Sequence, residues 1–433
     1  MFKLDNKQSD FEKSLNMLYN RPGYPPEIEK GVAAIIDDVR TNGNAALFKY
    51  ALQFDKVVLT EANMRVGAEE LQEAGKLVSL ADKRAIKAAI KNVQTFARAG
   101  IPQDWKFSPR EGVVLGEKFT PMDRVGVYIP GGTAPLCSTV IHTAAIAKSA
   151  GVKEIVAVTP ASREGKIHPA VLYAMKLAGV TEIYKLGGVY GIAAMAYGTE
   201  SIRKVEKIVG PGNAYVTAAK KLVYGQVAID MVAGPSEIMV IADESADKSF
   251  VAADMLSQAE HGSGLEQAVL VTTCGKLYEE IEAEILRQRN LLKRQATIDK
   301  VLANGTFIIK VDNLSQAAEI ASKYAPEHIE LQVKRPRALA PKIKSAGAIF
   351  LGSWTPEPIG DFCAGPSHVL PTAGSGKYFG GLSVEGFFRR SSLVEYTKSA
   401  IAEEAQYAHR FAMMEGLDGH GRSATIRVKN FKD

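Results

Sequence analysis

Short runs of β-forming apolar residues alternate with stretches of helical periodicity through the middle of the chain, and this alternation constrains the fold more than any other feature. It indicates a parallel sheet flanked by helices, because helical crossovers are what connect parallel strands. The predicted strands are 124–130, 154–159, 181–186, 207–209, 238–242, 268–272, 307–311 and 348–351. The sequence therefore predicts an α/β fold.

The composition is that of an ordinary globular protein and argues against several functional classes. A chain of 433 residues is long enough for two or three domains. No apolar run approaches the roughly 18–20 residues that span a bilayer, so we expect no membrane role. The net charge of +5 arises from 53 Lys and Arg against 48 Asp and Glu without a long block of like charge, which argues against nucleic-acid binding.

The N-terminal segment and the cysteines point to the cytoplasm. Residues 1–14 contain no apolar core of the signal-peptide kind, which gives no reason to expect secretion. Cys137, Cys274 and Cys363 form neither a CxxC pair nor an even disulfide framework, so we expect reduced thiols. A cytoplasmic location is the expectation that follows.

The stretch SQAEHGSG, residues 257–264, places Gln258 and His261 three residues apart. At this spacing two side chains share one face of a helix. The residues before them have helical periodicity with capping candidates at Ser245 and Asp247, and the two glycines that follow are predicted to end the helix. For the histidine alone, the simpler interpretation is an imidazole favoured by the helix C-terminus.

The stretch APEHIE, residues 325–330, places an acid directly before an imidazole. Neighbouring residues point about 100° apart in a helix and to opposite faces in a strand. Glu327 and His328 are therefore poorly placed to relay a proton to each other, but they can act on different atoms of one substrate. An exposed turn with a chance pair is the alternative for this stretch taken by itself.

Three glycine-rich turns follow predicted strands: GVYIPGG from Gly126, KLGGVYG from Lys185 and IVGPGN from Ile208. Open α/β sheets bind ligands beyond the carboxyl ends of their strands, where such turns lie. No GxGxxG fingerprint follows an early strand, so the residues alone do not establish a regular dinucleotide-binding fold.

Five further strings complete the pattern: GVYIPGGTAPLCSTV from Gly126, KIVGPGNAYVTAAKK from Lys207, AIDMVAGPSEIMVIAD from Ala228, GDFCAGPSHVLPT from Gly360 and EGLDGHGRSATIRV from Glu415. With the two histidine motifs, they closely resemble the histidinol dehydrogenase family, from about residue 40 to residue 428. Five separate motifs in the family's order are far more specific than a single glycine pattern.

The resemblance implies two incomplete Rossmann-like domains with parallel-sheet cores and an extended terminal tail. The expected boundaries are a tail segment at 1–25, a first, discontinuous domain at 26–126 and 237–380, a second domain at 127–236, and a C-terminal tail at 381–433 that is exchanged between the subunits of a homodimer.

The resemblance also implies a four-electron oxidation of L-histidinol to L-histidine through the aldehyde, with two NAD⁺ used in succession, as the last steps of histidine biosynthesis. His328 is the implied general base for the alcohol proton, and Glu327 the group that activates water for the second step. The implied ligands of one Zn²⁺ per subunit are Gln258, His261, Asp361 and His420. The implied substrate contacts are Ser236, Gln258, His261, His328, Asp361, Glu415 and His420, and the implied dinucleotide contacts are Tyr128, Tyr190 and Asn213.

Taken separately, two of these residues have simpler interpretations. Asp361 follows a glycine and is also typical of a turn or helix cap, and His420 lies between two glycines as a loop histidine would. The chain also departs from the family pattern. Tyr190 stands where the family commonly has a glutamine that contacts the dinucleotide, and Ser367 stands where asparagine is usual.

Two alternative functions remain open at the level of the sequence. One is a family relative that oxidises another small primary alcohol, such as a sulfonated diol, with the same zinc and Glu-His groups. The other is a zinc-binding interaction protein without catalysis, against which the intact pair Glu327 and His328 argues.

Overall fold

The computed structural model describes residues 1–21, 23–24, 27–131 and 135–428. The chain divides into two compact units, the first made of Met1–Gly100 with Asp123–Phe387, and the second of Ile101–Met122 with Phe388–Asp433, as far as these are described. No described helix is both long enough and apolar enough to cross a membrane.

The strands and helices are numbered in chain order. The strands are β1 (Phe2–Asp5), β2 (Trp105–Arg110), β3 (Val113–Pro121), β4 (Arg124–Tyr128), β5 (Glu154–Val158), β6 (Glu182–Tyr184), β7 (Lys207–Val209), β8 (Ala228–Ile229), β9 (Glu237–Ala242), β10 (Gln267–Thr272), β11 (Thr306–Lys310), β12 (His328–Gln332), β13 (Ala348–Leu351) and β14 (Phe388–Tyr396). The helices are α1 (Phe11–Tyr19), α2 (Glu27–Tyr50), α3 (Ala68–Leu77), α4 (Leu80–Ala99), α5 (Cys137–Ser149), α6 (Pro169–Ala178), α7 (Gly188–Tyr197), α8 (Ala214–Val223), α9 (Lys248–Ala259), α10 (Gly275–Arg289), α11 (Gln295–Asn304), α12 (Leu314–Tyr324), α13 (Pro336–Leu339), α14 (Glu357–Ile359), α15 (Ile401–Glu415) and α16 (Asp418–Thr425).

The predicted α/β fold is confirmed, and each of the eight predicted strands is present with ends that differ by at most two residues. Six parallel strands form one sheet in the order β1-β11-β10-β9-β12-β13. Its central strands are buried on both faces, which is why they read as continuous apolar runs. Ile238 and Val240 pack against α9, α10 and α11, whereas Met239 and Ile241 pack against α1 and α12. The period of two along a strand thus places helices on both sides of this sheet.

Five parallel strands form the other sheet of the first unit, in the order β6-β5-β4-β7-β8. Helices α2, α7 and α8 share one core with its strand residues, among them Val156 and Ile208. The strand order reverses direction between β4 and β7, so the loops that follow these two strands lie where ligands bind in open α/β sheets.

The packing of the N-terminal segments bears on the domain boundaries, which remain a prediction. The segment 1–25 is not only a tail, because β1 pairs with β11 as an edge strand and Leu4 and Leu15 are buried on that sheet. Helix α2 does not belong to the six-stranded sheet as predicted; Val32 and Leu47 lie in the core of the five-stranded one. The apolar face of a helix packs on whichever sheet face is left uncovered, and the sequence does not say which. The predicted boundary between residues 25 and 26 lies outside the described residues.

The second unit combines two segments that the sequence analysis assigned to different domains. Residues 388–396 pair with 113–121, and these pair with 105–110, as an antiparallel sheet in the order β14-β3-β2. Helices α15 and α16 follow. Large apolar side chains of this unit, including Phe107, Val394, Phe411 and Met414, are half or more exposed. This unit therefore buries little of its apolar surface within one chain.

Candidate active site

A cavity of about 410 Å³ in the first unit is lined by residues from both parallel sheets. One wall comes from the amino ends of β9 and β12, with Ser236, Glu327 and His328. The opposite wall comes from the loops at the carboxyl ends of β4 and β7. These loops contribute Pro130, Gly131, Pro211, Gly212 and Asn213. The two predicted histidine motifs and two of the three predicted glycine turns thus meet at one cavity.

His328 is the first residue of β12, and its imidazole is almost fully buried. Its Nδ1 lies 3.0 Å from the carbonyl oxygen of Glu237. A carbonyl can only accept a hydrogen bond, so Nδ1 carries a proton. The other ring nitrogen, Nε2, lies 3.1 Å from Asp361 Oδ1. The backbone thus fixes the orientation of the ring and turns Nε2 toward the carboxylate of Asp361.

Glu327 is buried directly beside the imidazole. Its Oε2 accepts a hydrogen bond from the backbone N–H of Glu237 at 2.9 Å and lies 3.7 Å from His328 Nδ1. Because Nδ1 donates to a carbonyl, the two side chains are not in a direct relay, as the sequence predicted. Burial raises the pKa of Glu327 to about 8. Burial alone would lower the pKa of His328, but Glu327 and Asp361 raise it to about 10.

Gln258 lies in the last turn of α9, whose first turn is capped by the side chain of Asp247. His261 lies two residues beyond the end of this helix, and Gly262 reverses the chain with a φ of 122°. Gln258 Nε2 is 3.3 Å from His261 Nδ1. The amide oxygen of Gln258 is buried and has no hydrogen-bond partner. The two side chains therefore lie together, as the three-residue spacing predicted, although the histidine follows the helix instead of ending it.

Asp361 lies close to a second carboxylate that the sequence analysis missed. Ligand atoms of His328, Glu357 and Asp361 all lie within 4.8 Å of one another. Burial raises the pKa of Glu357 to about 9, whereas contact with His328 outweighs burial and holds the pKa of Asp361 below its usual range. The signal was available in PEPIGD, because residues 357 and 361 have the spacing that brings side chains together on a helix.

A pair of stacked imidazoles lies beside Asp361. The rings of His142 and His368 are 4.7 Å apart with an interplanar angle of 24°. Burial and, to a lesser extent, the neighbouring His142 lower the pKa of His368 to about 3. Ser367 donates a hydrogen bond to the carbonyl oxygen of His142 at 3.0 Å. The serine that replaces the family's usual asparagine thus fastens the loop of His368 to α5.

The predicted dinucleotide contacts differ in their surroundings. Asn213 caps α8 by accepting hydrogen bonds from two backbone N–H groups and lines the cavity. The hydroxyl of Tyr128 accepts a hydrogen bond from the N–H of Gly188 at 3.1 Å. Tyr190 is only 1% exposed, its hydroxyl donates to Asp55, and its ring stacks on Tyr50. The ring of Tyr190 is thus packed against another ring, and its contact with a dinucleotide remains a prediction.

Glu415 and His420 belong to the second unit. Glu415 is the last residue of α15, and His420 lies in α16. Both side chains are exposed. Their participation in the site remains a prediction.

The donor set suits a zinc ion. Imidazole nitrogen and carboxylate oxygen are ordinary Zn²⁺ ligands, and an amide oxygen is a rarer one. A buried amide oxygen without a partner is costly unless a donor or a cation completes it. Gln258 Oε1 is such an oxygen, and it lies beside His261 in the same turn. The residues of the first unit therefore fit the implied metal.

Fold and site together define an α/β enzyme in which a buried carboxylate-histidine centre faces glycine-rich loops of the nucleotide-binding kind. The sequence model of the family described as Histidinol dehydrogenase matches residues 22–428. The histidinol dehydrogenase of Gloeobacter violaceus is 46% identical over 405 residues, which are 94% of this chain and 91% of that protein. That of Listeria monocytogenes is 46% identical over 403 residues, 93% of each chain.

A solved structure agrees with these sequence relatives. The crystal structure of histidinol dehydrogenase from Elizabethkingia anophelis superposes with a TM-score of 0.94 at 36% identity and covers 99% of this chain and 98% of that one. The chain belongs to the histidinol dehydrogenase family. Members of this family are oxidoreductases that use NAD and Zn²⁺.

Proposed function

We propose that the protein oxidises L-histidinol to L-histidine in two NAD⁺-dependent steps, through the aldehyde, as the last steps of histidine biosynthesis. The observation that carries the proposal is the buried imidazole of His328, which is held through Nδ1 and presents Nε2 beside Asp361 in a cavity that also contains Glu327. The family and the names of its relatives support histidinol as the substrate.

In the first step, the neutral form of His328, which is the minor form below its pKa of about 10, takes the proton of the substrate hydroxyl. Because Nδ1 donates to the carbonyl oxygen of Glu237, Nε2 is the ring nitrogen that is turned toward Asp361 and can accept this proton. NAD⁺, when bound, would supply the hydride acceptor for both steps. A bound Zn²⁺, held by Gln258, His261 and Asp361 together with His420 of a second copy of the chain, would hold the substrate in place as a Lewis acid.

In the second step, Glu327 takes a proton from the water that hydrates the aldehyde. Burial raises the pKa of this carboxyl to about 8, which makes its ionised form a stronger base than an exposed glutamate. Ser236 also lines the cavity and is proposed to contact the substrate.

We further propose that the active enzyme is a homodimer in which each site receives Glu415 and His420 from a second copy of the chain. The exposed large apolar side chains of the second unit support this proposal, because a terminal segment with few buried apolar residues needs another surface to order it. A carboxylate such as that of Glu415 is suited to a substrate ammonium group. The cytoplasmic location expected from the sequence remains a prediction.

Subunit mixing tests the shared site. A His420→Ala chain is mixed with a chain that carries Glu327→Gln and His328→Asn, both inactive alone. With ligands shared across the dimer, each mixed dimer contains one site with every residue intact and a fraction of the activity returns. If each chain builds its own site, both kinds of site stay defective and no activity returns after verified subunit exchange.

A substrate panel tests the reaction itself. Zinc-loaded protein with NAD⁺ is offered L-histidinol, a sulfonated diol and simple primary alcohols, and NADH is measured. We expect two NADH per L-histidinol and L-histidine as the product. Faster turnover of the sulfonated diol would favour the first alternative, and no turnover of any alcohol would favour the non-catalytic one. Neither alternative is supported by the names of the relatives.

A further inference from the structure

The backbone of a single residue holds both members of the carboxylate-histidine pair. Glu237 is the first residue of β9. Its N–H donates to Glu327 Oε2 at 2.9 Å, and its carbonyl oxygen accepts from His328 Nδ1 at 3.0 Å. Any displacement of the backbone of Glu237 therefore moves the side chains of Glu327 and His328 together.

Arg21 contacts this part of the fold. It lies more than two hundred positions earlier in the chain than Glu237. Its Nε lies 2.9 Å from Glu237 Oε1, and the arginine side chain is 10% exposed. The contact is an ion pair without aligned hydrogen-bond geometry. A terminal nitrogen of the same guanidinium donates to the carbonyl oxygen of Tyr324, and the group lies 3.7 Å from the centre of the Tyr324 ring. Arg21 thus connects the start of β9 to the end of α12, three residues before Glu327.

The backbone on both sides of this contact is strained. Ala325, directly after Tyr324, has a φ of 51°, and Ala373 has a φ of 53°. Ala373 donates its N–H to Glu237 Oε1 at 3.1 Å. Non-glycine residues rarely adopt these angles and keep them only where the surroundings impose them. Among the described non-glycine residues, only Lys56 shares a positive φ with these two alanines. The two strained alanines therefore lie at the contacts of this ion pair, Ala325 next to the Tyr324 carbonyl that Arg21 binds and Ala373 at the carboxylate of Glu237.

Arg21 does not line the cavity, so it has no direct part in the chemistry. A buried ion pair is also weak support for stability, because desolvation of the charges offsets their attraction. The contact of Arg21 with Glu237 is therefore better explained by its effect on the orientation of Glu327 and His328.

We infer that Arg21 is a positioning residue, which clamps Glu237 and Tyr324 so that the Glu237 peptide holds Glu327 and His328 in their reactive orientation. This inference rests on the proposed function, because the pair has a reactive orientation only in that reaction. A lysine keeps the charge but lacks the planar fork that reaches both partners. Arg21→Lys should therefore loosen the clamp without leaving Glu237 uncompensated.

The test compares Arg21→Lys with Thr306→Val in zinc-loaded enzyme. Thr306 is fully buried at the start of β11 in the same sheet, and its hydroxyl donates to the carbonyl oxygen of Val301 at 3.1 Å; neither residue lines the cavity. The control thus removes a buried hydrogen bond without touching the clamp. Arg21→Lys should lower kcat for L-histidinol by about 10- to 100-fold, since misplacement by about 1 Å has effects of this size. Its KM and zinc content should stay within about two-fold of wild type, and Thr306→Val should lower only the melting temperature.

Two further measurements separate positioning from a general loss of structure. The Nδ1 proton of His328 should give a slowly exchanging imidazole resonance in the wild type, assigned by its absence in His328→Asn, and this resonance should be lost or broadened in Arg21→Lys. Glu237→Gln is the second variant, because the amide keeps the size of the side chain and an acceptor for Ala373 while it removes the charge paired with Arg21. It should also lower kcat.

Three outcomes would overturn the inference: kcat of Arg21→Lys within two-fold of wild type, an unchanged imidazole resonance, or a loss of kcat no larger than that of Thr306→Val. If Arg21→Lys does not fold, the same criteria apply to Glu237→Gln. A wild-type protein that forms no NADH from L-histidinol contradicts the proposed function instead, and the resonance then still reports on the clamp.

Discussion

The two walls of the cavity are built from different kinds of groups. The wall at the amino ends of β9 and β12 consists of buried titratable side chains held by backbone hydrogen bonds, with Glu327 and His328 at its centre. The wall at the carboxyl ends of β4 and β7 consists of short loops rich in glycine and proline, in which Asn213 fastens the start of α8. The side chains of the first wall can accept and donate protons, and the loops of the second wall present backbone N–H and C=O groups to a ligand.

The pKa shifts follow the same division. On the first wall, burial and neighbouring charges raise the pKa of Glu357 to about 9, and burial lowers that of His368 to about 3. Such opposed shifts within one cluster are typical of catalytic sites. On the second wall, the close approach is between backbone groups: a Cβ added to Gly210 would lie 2.2 Å from the carbonyl oxygen of Tyr128. Substitutions on the first wall should therefore change kcat, and those on the second should change the binding of NAD⁺.

The largest effect is expected for His328→Asn. The amide has no group that can take a proton near neutral pH, so kcat should fall by about 10²- to 10⁴-fold, while the KM for NAD⁺ changes little. Steady-state kinetics at saturating NAD⁺ measures both. His168→Asn is the matched control, because His168 is an exposed helix-capping residue outside the cavity lining and asparagine also caps helices. A loss below about ten-fold in His328→Asn would remove this histidine from the role of general base.

Glu327→Gln should come next and should divide the two oxidations. Only the second oxidation needs an activated water, so NADH formation from the aldehyde should slow much more than NADH formation from the alcohol. Single-turnover measurements with each substrate make the comparison. The amide still accepts from the N–H of Glu237, so the backbone contact at Oε2 is kept. Equal losses in both half-reactions would contradict this division of labour between the two residues.

The difference between the walls also explains what the sequence could predict. Glu327, His328, Gln258 and His261 lie in local patterns, and the strands of the two parallel sheets repeat a local apolar signal. Glu357 also has a local signal, its four-residue spacing to Asp361, whereas Arg21 has none, because its surroundings are created by packing between segments far apart in the chain. A single sequence does not record such contacts.

Strands β1, β12 and β14 were not predicted for the same reason, because they depend on contacts with residues far away in the sequence. HIELQ of β12 alternates apolar with polar residues although all five are buried, because its polar side chains find partners inside the protein. β1 is only four residues long and depends on its pairing with β11. The pairing of β14 with β3 joins residues more than 250 positions apart, and nothing in either segment specifies the other.

A smaller effect is expected for Gly210→Ala on the second wall. Gly210 has a φ of 122°, and the added methyl group would meet the carbonyl of Tyr128, so the loop must shift. Strain of about 1–3 kcal/mol in the state that binds NAD⁺ weakens binding by roughly 5- to 150-fold. The KM for NAD⁺ should rise by about this factor, with kcat at saturating NAD⁺ nearly unchanged. Gly380→Ala is the control, since a Cβ there has no neighbour within 4 Å. A selective loss of kcat in Gly210→Ala would contradict the separation of the two walls.

The smallest effect is expected at Tyr190, where the chain departs from its family. Tyr190→Phe removes the hydroxyl that donates to the half-buried carboxyl of Asp55 and keeps the ring stacked on Tyr50. Loss of this hydrogen bond should lower the free energy of unfolding by about 0.5–1.5 kcal/mol, with the KM for NAD⁺ within two-fold of wild type. Tyr190→Gln restores the family's amide and should leave activity intact or tighten NAD⁺ binding, because a glutamine is smaller and has both a donor and an acceptor for the dinucleotide. Denaturant unfolding and calorimetric titration with NAD⁺ separate the two effects. If Tyr190→Phe weakens NAD⁺ binding by ten-fold or more at unchanged stability, the tyrosine hydroxyl serves the dinucleotide directly and its contact with Asp55 is secondary.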